Sequence, residues 1–236
     1  MSYILSIDEA AKWFSCLADA VKVENTETRT NKLRELYCDI KESNELRNMK
    51  AIFDEGLYPP LPAAGIFERN KMAELVMENG ALTNNVEHLL VNNPLAQLLY
   101  SVAWKNGDLR KFNPLKHGLT DDDGRNIRNI ENGSYVFYQY GKHILDRGQP
   151  IVDQHTGRAF KYMKVREEKG ETLKEEDIRE IREYKKLNEQ DYIGYLGWVD
   201  KVLPSNLEDR DNILSCLDKI MFSLGKALSK THRKKK

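Results

Sequence analysis

The sequence predicts an all-α fold, and three observations lead to that prediction. Helix-capping signatures recur along the chain, and several segments place apolar residues three and four positions apart. No convincing run alternates apolar and polar residues as an amphipathic strand does. We therefore expect about ten helices connected by short polar loops.

Helix starts are predicted where Ser or Thr is followed three residues later by an acidic residue, because the two side chains can satisfy the first free N–H groups of a helix. Four such signatures are interpreted as helix starts: Ser6-x-x-Glu9, Thr120-x-x-Asp123, Thr172-x-x-Glu175 and Ser205-x-x-Glu208. After Ser205 the predicted last helix carries an apolar stripe through Ile213, Leu217 and Leu224.

Further helices are predicted from apolar periodicity in the segments between these starts: residues 33–53, 66–77, 86–90 and 95–104. Asn79-Gly80 and other Asn, Gly and Pro pairs separate them. The segment Ser134–Tyr140 is aromatic and β-branched enough for a short strand, but its apolar residues also fit a helical period. We favour the helix.

Composition indicates a protein that folds without disulfides or membrane spans. A chain of 236 residues, 40% of them hydrophobic, can bury a core as one large domain or two small ones. Its N-terminus lacks the features of a signal peptide, and no apolar run approaches the ~20 residues of a membrane span. Three widely spaced cysteines favour a reducing compartment, so we predict a cytoplasmic protein, with Cys16 and Cys216 in the core.

Charge is balanced overall but unevenly distributed. Five of the 37 basic residues lie in the tail 230–236, which leaves 32 Lys and Arg against 37 Asp and Glu and a mildly acidic body. We expect this tail to be disordered. Residues 105–117 and 158–164 are locally basic and could contact phosphates, although a solvated helix face explains them equally well.

Several classes of enzyme lack their signatures in this chain. The five histidines form no H-x-x-x-H pair, no glycine-rich phosphate loop occurs, and no Gly-x-Ser-x-Gly elbow is present. We therefore expect neither a metal nor a cofactor.

The segment Pro150-Ile-Val-Asp-Gln-His-Thr-Gly-Arg158 is the most informative part of the chain. An apolar dipeptide ends at Asp153, and a helix is predicted to begin directly after it. Asp is a preferred N-cap, because its oxygen accepts the free N–H groups of the first turn. His155 and Arg158 follow within about one turn, so the sequence predicts a cluster of chemically capable side chains at a helix N-terminus.

Val152, Asp153, His155 and Arg158 follow an apolar segment with a turn at Gly133, and this order resembles the helix-hairpin-helix DNA glycosylases, including the 8-oxoguanine branch. The resemblance covers about 30 residues, 127–160. It implies a glycosylase-like core at 93–229 after an N-terminal helical region at 1–92, with helices in two packed lobes. It also implies that Asp153 is catalytic and that the partner is double-stranded DNA with a modified base.

Two departures from the family pattern refine this expectation. Only Gly133 stands where the family hairpin carries Gly-x-Gly, and the place of the family's lysine nucleophile falls on Ser134 or Tyr135. We therefore expect hydrolysis with water as nucleophile and no strand-cleaving lyase activity. A divergent specialist that excises modified cytosine from phage DNA is one form of this hypothesis.

The resemblance also suggests which residues surround a flipped base. The candidate wall residues are Trp104, Tyr135 and Tyr138, for which core packing is the ordinary alternative. The candidate DNA contacts are Lys105, Lys116, Lys142, His155 and Arg158. We expect no obligate protein partner.

Two other functions stay open. The chain could be a nucleic-acid-binding helical module without catalysis. It could also be an all-α ribonuclease, since Arg110-x6-His117 has the spacing of a short Arg/His signature, although Pro114 would interrupt the helix that should carry both residues.

Overall fold

The computed structural model describes residues 7–43, 76–78, 81–83, 94–120, 134–170 and 173–230. The fold of these residues is all-α, as the sequence predicts. The described residues contain nine α-helices: α1 (Ile7–Val21), α2 (Thr26–Glu42), α3 (Pro94–Lys105), α4 (Phe112–Thr120), α5 (Tyr135–Leu145), α6 (Gln154–Lys169), α7 (Glu175–Glu183), α8 (Glu189–Val202) and α9 (Arg210–Lys230). A 3-10 turn at Leu109–Lys111 precedes α4.

One small exception to the helical pattern is an antiparallel pair of strands, β1 (Val76–Glu78) and β2 (Ala81–Thr83). Val76 pairs with Thr83 and Glu78 pairs with Ala81. The helix predicted for residues 66–77 is wrong at Val76 and Met77, and neither strand is predicted from the sequence. Asn-Gly is the dipeptide most favoured between the strands of a two-residue hairpin, and it stands at positions 79–80.

The chain divides into two compact units. The first comprises residues 1–61 and 150–236, and the second comprises residues 62–149. In the first unit, α1 and α2 both pack against α9. The predicted boundary at residue 92 lies outside the described residues, so the division at 92 stays a prediction.

The core of the first unit forms around α9. Its apolar stripe is fully buried, with Leu217, Ile220 and Leu224 at 0% exposure, and it packs mainly against α6 and α2. α1 reaches α6 through Phe14, whose ring stacks on that of Tyr162 with centroids 4.1 Å apart. These contacts fix α6, which carries the candidate site at its N-terminus.

Predicted helices are confirmed more often than their predicted starts. α9 begins at Arg210, five residues after Ser205, because residues 204–209 form turns and Asp209 adopts a left-handed φ of 59°. The N-cap of α7 is Lys174, and α1 begins at Ile7. The predicted caps Ser6 and Thr172, and the signature from Thr120 into residue 123, fall wholly or partly outside the described residues.

In the second unit, α4 and α5 cross at a pair of glycines. A Cβ on Gly118 would lie 1.9 Å from the carbonyl oxygen of Tyr138, and one on Gly141 would lie 2.2 Å from that of Leu115. The two backbones are therefore in direct contact, which only glycine allows at these positions. The helix α5 confirms the helical interpretation of residues 134–140.

The cysteines do not all occupy the predicted positions. Cys16 is exposed, because the buried face of α1 is formed by Phe14, Leu17 and Ala20 and Cys16 lies away from it. The prediction of Cys16 as a core residue is wrong, whereas Cys216 is half-buried. Among the helices described, none is long and apolar enough to span a bilayer.

Candidate active site

Asp153 is the N-cap of α6, as its sequence context predicts. Its backbone is extended, with φ −139°, and its Oδ1 accepts hydrogen bonds from the N–H groups of His155 (2.7 Å) and Thr156 (2.8 Å). The Thr156 hydroxyl in turn accepts from the backbone N–H of Asp153, at 2.7 Å. This reciprocal capping box fixes the carboxylate relative to the helix axis.

The cap uses only one of the two carboxylate oxygens. Asp153 is half-exposed, and none of the described residues donates a hydrogen bond to its Oδ2. A carboxylate held at Oδ1 with a second oxygen left over can bind a ligand without giving up its structural role.

The loop that precedes Asp153 is anchored by a buried carboxyl group in α9. Asp218 is 7% exposed, and its Oδ2 accepts the backbone N–H of Ile151 at 2.9 Å. The hydroxyl of Tyr195 lies 3.5 Å from Oδ1. Burial raises the pKa of Asp218 well above its usual value; the negative charge of Asp153 acts in the same direction, and the hydrogen bonds from Ile151 and Tyr195 oppose it.

Asp218 is not among the residues predicted from the sequence, although a signal for it is present. In α9, Asp218 lies four residues after Leu214 and three before Met221, both of which are buried. A carboxylate on the apolar face of a helix needs a hydrogen-bond partner there. That partner proves to be the loop before Asp153.

His155 lies in the first turn of α6, where its ring contacts two side chains. Its Nδ1 is 2.8 Å from Nη1 of Arg158, and the ring meets Phe222 edge to face with centroids 4.9 Å apart. Burial lowers the pKa of His155, and the cations Arg158 and Lys226 add to this effect. Asp153 and the carbonyl of Gly225 act in the opposite direction.

Arg158 connects three helices from a buried position. It is 4% exposed, and its guanidinium donates to the carbonyl of Gly225 in α9 (3.2 Å) and to that of Tyr184 at the end of α7 (2.9 Å). Burial lowers its pKa, partly offset by Asp153. A guanidinium held in this way stabilises the packing around the site, which favours a structural role over the predicted DNA contact.

The N-terminus of α6 lies against α9 with no space for a side chain between them. A Cβ on Gly225 would lie 1.8 Å from the carbonyl oxygen of His155. On the other side, a Cβ on Gly157 would lie 2.9 Å from Cδ1 of Leu187. The position of Asp153 is thus set by backbone contacts as well as by its capping box.

Comparison of the chain with protein-family models, with curated proteins and with solved structures finds no match. The resemblance of residues 127–160 to helix-hairpin-helix glycosylases therefore stays an expectation from the sequence. The hairpin expected near Gly133 lies outside the described residues.

The predicted wall residues belong to the second unit. Tyr135 and Tyr138 are each 2% exposed and pack in the core around α5, while the side chain of Trp104 lies outside the described set. Core packing accounts for both tyrosines in this conformation. A role for the three residues in holding a base stays a prediction.

The predicted lysine contacts also lie in the second unit. Lys105 is exposed at the end of α3, whereas Lys116 and Lys142 are half-buried on α4 and α5. Nζ of Lys142 lies 5.9 Å from the ring centre of Tyr138. Contacts between these lysines and DNA stay predictions.

The residues of the Arg/His signature lie on two separate elements. Arg110 is exposed in the 3-10 turn and His117 is half-buried in α4, which begins between them at Phe112. The 3-10 turn is followed directly by α4, which contains Pro114 in its first turn, and the ribonuclease alternative stays a prediction. Within the described ranges, no group of three or more His, Cys, Asp or Glu side chains could hold a metal ion.

Proposed function

We propose that the protein is a DNA N-glycosylase that hydrolyses the bond between a modified base and its deoxyribose, with Asp153 as the catalytic carboxylate. The observation that carries this proposal is the cap of α6: Oδ1 of Asp153 is fixed by two backbone N–H groups, while Oδ2 stays available on a half-exposed side chain.

The chemistry of base removal requires a preorganised negative charge. As the glycosidic bond breaks, the base leaves with the electron pair and positive charge develops on the sugar, as in glycoside hydrolysis. A carboxylate that is already fixed stabilises this charge without reorganising during the reaction. It can also orient the attacking water and accept a proton from it.

Water is the proposed nucleophile because the chain offers no lysine at the family's position. That position falls on Ser134 or Tyr135, and the side chain of Tyr135 is buried in the second unit. We therefore propose a monofunctional reaction that yields a free base and an abasic site, with no Schiff base and no strand cleavage.

Modified cytosine in phage DNA is the proposed substrate. The hairpin lacks the Gly-x-Gly and the lysine of the family pattern, and these departures support a substrate other than the bases that housekeeping repair enzymes remove. Outside its tail the chain is mildly acidic, which is consistent with weak non-specific binding to DNA. A strain that expresses the protein should restrict phages with hypermodified cytosine and spare phages with unmodified DNA.

Mass spectrometry of released bases tests the proposal. Full-length protein is incubated with unmodified genomic DNA and with phage DNA that contains modified cytosine. We expect a free modified base from the second DNA only, and a loss of at least about 100-fold in rate for Asp153→Asn, which removes the charge but keeps an N-cap.

Asp146→Asn is the matched control. Asp146 also accepts a backbone hydrogen bond, from the N–H of Gly148 at 2.8 Å, but it lies in an exposed loop. This variant should release base at the wild-type rate. Equal rates for wild type and Asp153→Asn would refute the proposal, and DNA binding without base release from any substrate would favour the non-catalytic module.

A further inference from the structure

The contact between Arg158 and His155 determines the protonation of the histidine ring. Nη1 of Arg158 lies 2.8 Å from Nδ1 of His155, which is hydrogen-bond distance. A guanidinium carries only donors, so Nδ1 must accept this hydrogen bond and cannot itself carry a proton. In a neutral ring, the single N–H is then on Nε2.

The position of Arg158 does not depend on His155. Its guanidinium also donates to the carbonyls of Gly225 in α9 and of Tyr184, the C-cap residue of α7. The ring of His155 is held in turn by its edge-to-face contact with Phe222. Both partners of the hydrogen bond are thus placed by the surrounding fold.

Burial is the main cause that disfavours a second proton on the ring of His155. Arg158 from α6 and Lys226 from α9 add to this effect, whereas Asp153 and the Gly225 carbonyl oppose it. The net effect is that the pKa of His155 is lowered. The ring is accordingly neutral at pH 7.5.

We propose that Arg158 is a positioning residue that holds His155 as a neutral ring with its single N–H on Nε2, so that one hydrogen-bond donor is presented beside Asp153. Nε2 is the ring nitrogen of His155 that Arg158 does not bind. We identify the acceptor of the Nε2–H hydrogen bond as an anionic oxygen of DNA, and this identification rests on the proposed function. The protonation state of the His155 ring does not depend on that function.

Long-range ¹⁵N–¹H NMR on the full-length protein labelled with ¹⁵N-histidine tests the state of the ring directly. The His155→Gln spectrum assigns the signal among the five histidines. At pH 7.5 we expect an unprotonated Nδ1 and a protonated Nε2. A ring with its proton on Nδ1, donating to the Gly225 carbonyl instead, would overturn the proposal, and so would a doubly protonated ring.

Arg158→Lys separates positioning from chemistry. A lysine keeps the positive charge but lacks the planar fork that joins Nδ1 to the two carbonyls. We expect a mixture of the two neutral ring forms in this variant, and wild-type proportions would contradict the role of Arg158. If Arg158→Lys does not fold, the position of the proton on the wild-type His155 ring, measured by NMR, still tests the proposal.

A second experiment asks whether Nε2 is the atom that DNA uses. The amide nitrogen of Gln can replace Nε2 of a histidine, and that of Asn can replace Nδ1. Binding is measured by fluorescence anisotropy with a labelled duplex that carries an abasic-site analogue. We expect His155→Gln to keep the affinity within about 3-fold and His155→Asn to lose about 10-fold, the size of one charge-assisted hydrogen bond.

Equal losses in the two variants would refute the use of Nε2. If the wild type itself binds neither this duplex nor the phage DNA, the proposed function fails. The NMR result still decides whether Arg158 positions His155, so the two failures can be distinguished.

Discussion

Asp218 in the last helix accepts a hydrogen bond from the backbone N–H of Ile151, with 2.9 Å between the nitrogen and Oδ2. A buried carboxyl group is thereby joined to the loop two residues before Asp153. Val152, the next residue in this loop, is also fully buried. The buried carboxyl group of Asp218 therefore anchors the loop that carries the half-exposed carboxylate of Asp153.

The first prediction concerns the pH dependence of stability that Asp218 causes. Its pKa in the folded protein is raised above the usual 3.8, so the folded state binds a proton that the unfolded chain has released. The stability that this proton contributes is complete below pH 3.8 and is lost as the pH rises through the folded pKa, at up to about 1.4 kcal/mol per pH unit.

Asp218→Asn should remove that loss, because Asn keeps an acceptor for Ile151 without a titrating charge. Urea unfolding followed by circular dichroism at pH 4.5 and pH 8 measures the difference. We expect the variant to gain stability relative to wild type as the pH rises. Asp200→Asn, at a carboxylate whose side chain is 68% exposed, should show little change. A gain that does not depend on pH would contradict the raised pKa.

The second prediction separates the cap function of Asp153 from its charge. Asn caps a helix about as well as Asp, whereas Ala cannot cap it, so Asp153→Ala should lose about 1 kcal/mol of stability and Asp153→Asn only a few tenths. Chemical denaturation measures both variants.

Asn25→Ala provides the comparison, since Oδ1 of Asn25 caps α2 by accepting the N–H of Thr28 at 2.8 Å. It should cost a similar free energy of unfolding without any effect on base release. Equal stability of Asp153→Ala and wild type would mean that the capping box contributes nothing.

How far the sequence predicts the site can be judged from Asp153 and Arg158. The N-cap follows from local chemistry, because an extended dipeptide, an Asp and a helical pattern are all visible within a few residues. The burial of Arg158 depends on the carbonyls of Gly225 and Tyr184, which are 67 and 26 residues away in the chain. No local pattern reveals that these groups converge.

The fold shows the same limit. The apolar stripe of α9 is predicted correctly from periodicity, yet its start is displaced from Ser205 to Arg210, since successive turns and the left-handed Asp209 take up the residues between them. Helix ends are set by such turns and by tertiary contacts, whereas helix faces are set by spacing alone.

The third prediction concerns acidification and His155. Its folded-state pKa is lowered below the usual 6.5, so the unfolded chain takes up a proton first as the pH falls. The corresponding stability is complete above pH 6.5 and is lost below it, again at no more than about 1.4 kcal/mol per pH unit.

His155→Gln should therefore show a flatter dependence of stability on pH than the wild type between pH 7 and pH 5. Between pH 8 and pH 9, where the ring is neutral in both the folded and the unfolded chain, the two proteins should differ by a constant amount. Parallel curves over the whole range would indicate that the ring titrates at its ordinary pKa.

The fourth prediction tests the backbone contact that places the N-terminus of α6. A methyl group at position 225 would lie 1.8 Å from the carbonyl oxygen of His155, so Gly225→Ala must separate α9 from α6. Overpacking of this kind costs about 1–3 kcal/mol, and the backbone here leaves little room to relax, so we expect a loss near the upper end of that range.

Gly197→Ala is the matched control, because Gly197 lies within α8 with no atom of a neighbouring group within 4 Å of the added methyl. That variant should gain about 0.5–1 kcal/mol from the higher helix propensity of Ala. Opposite signs for the same substitution, measured by thermal and urea unfolding, would establish that direct contact between backbones holds Asp153 in place. A loss at position 225 no larger than a few tenths of a kcal/mol would mean that α9 and α6 can separate freely, and the support for the site would then have to come from Arg158 and Asp218.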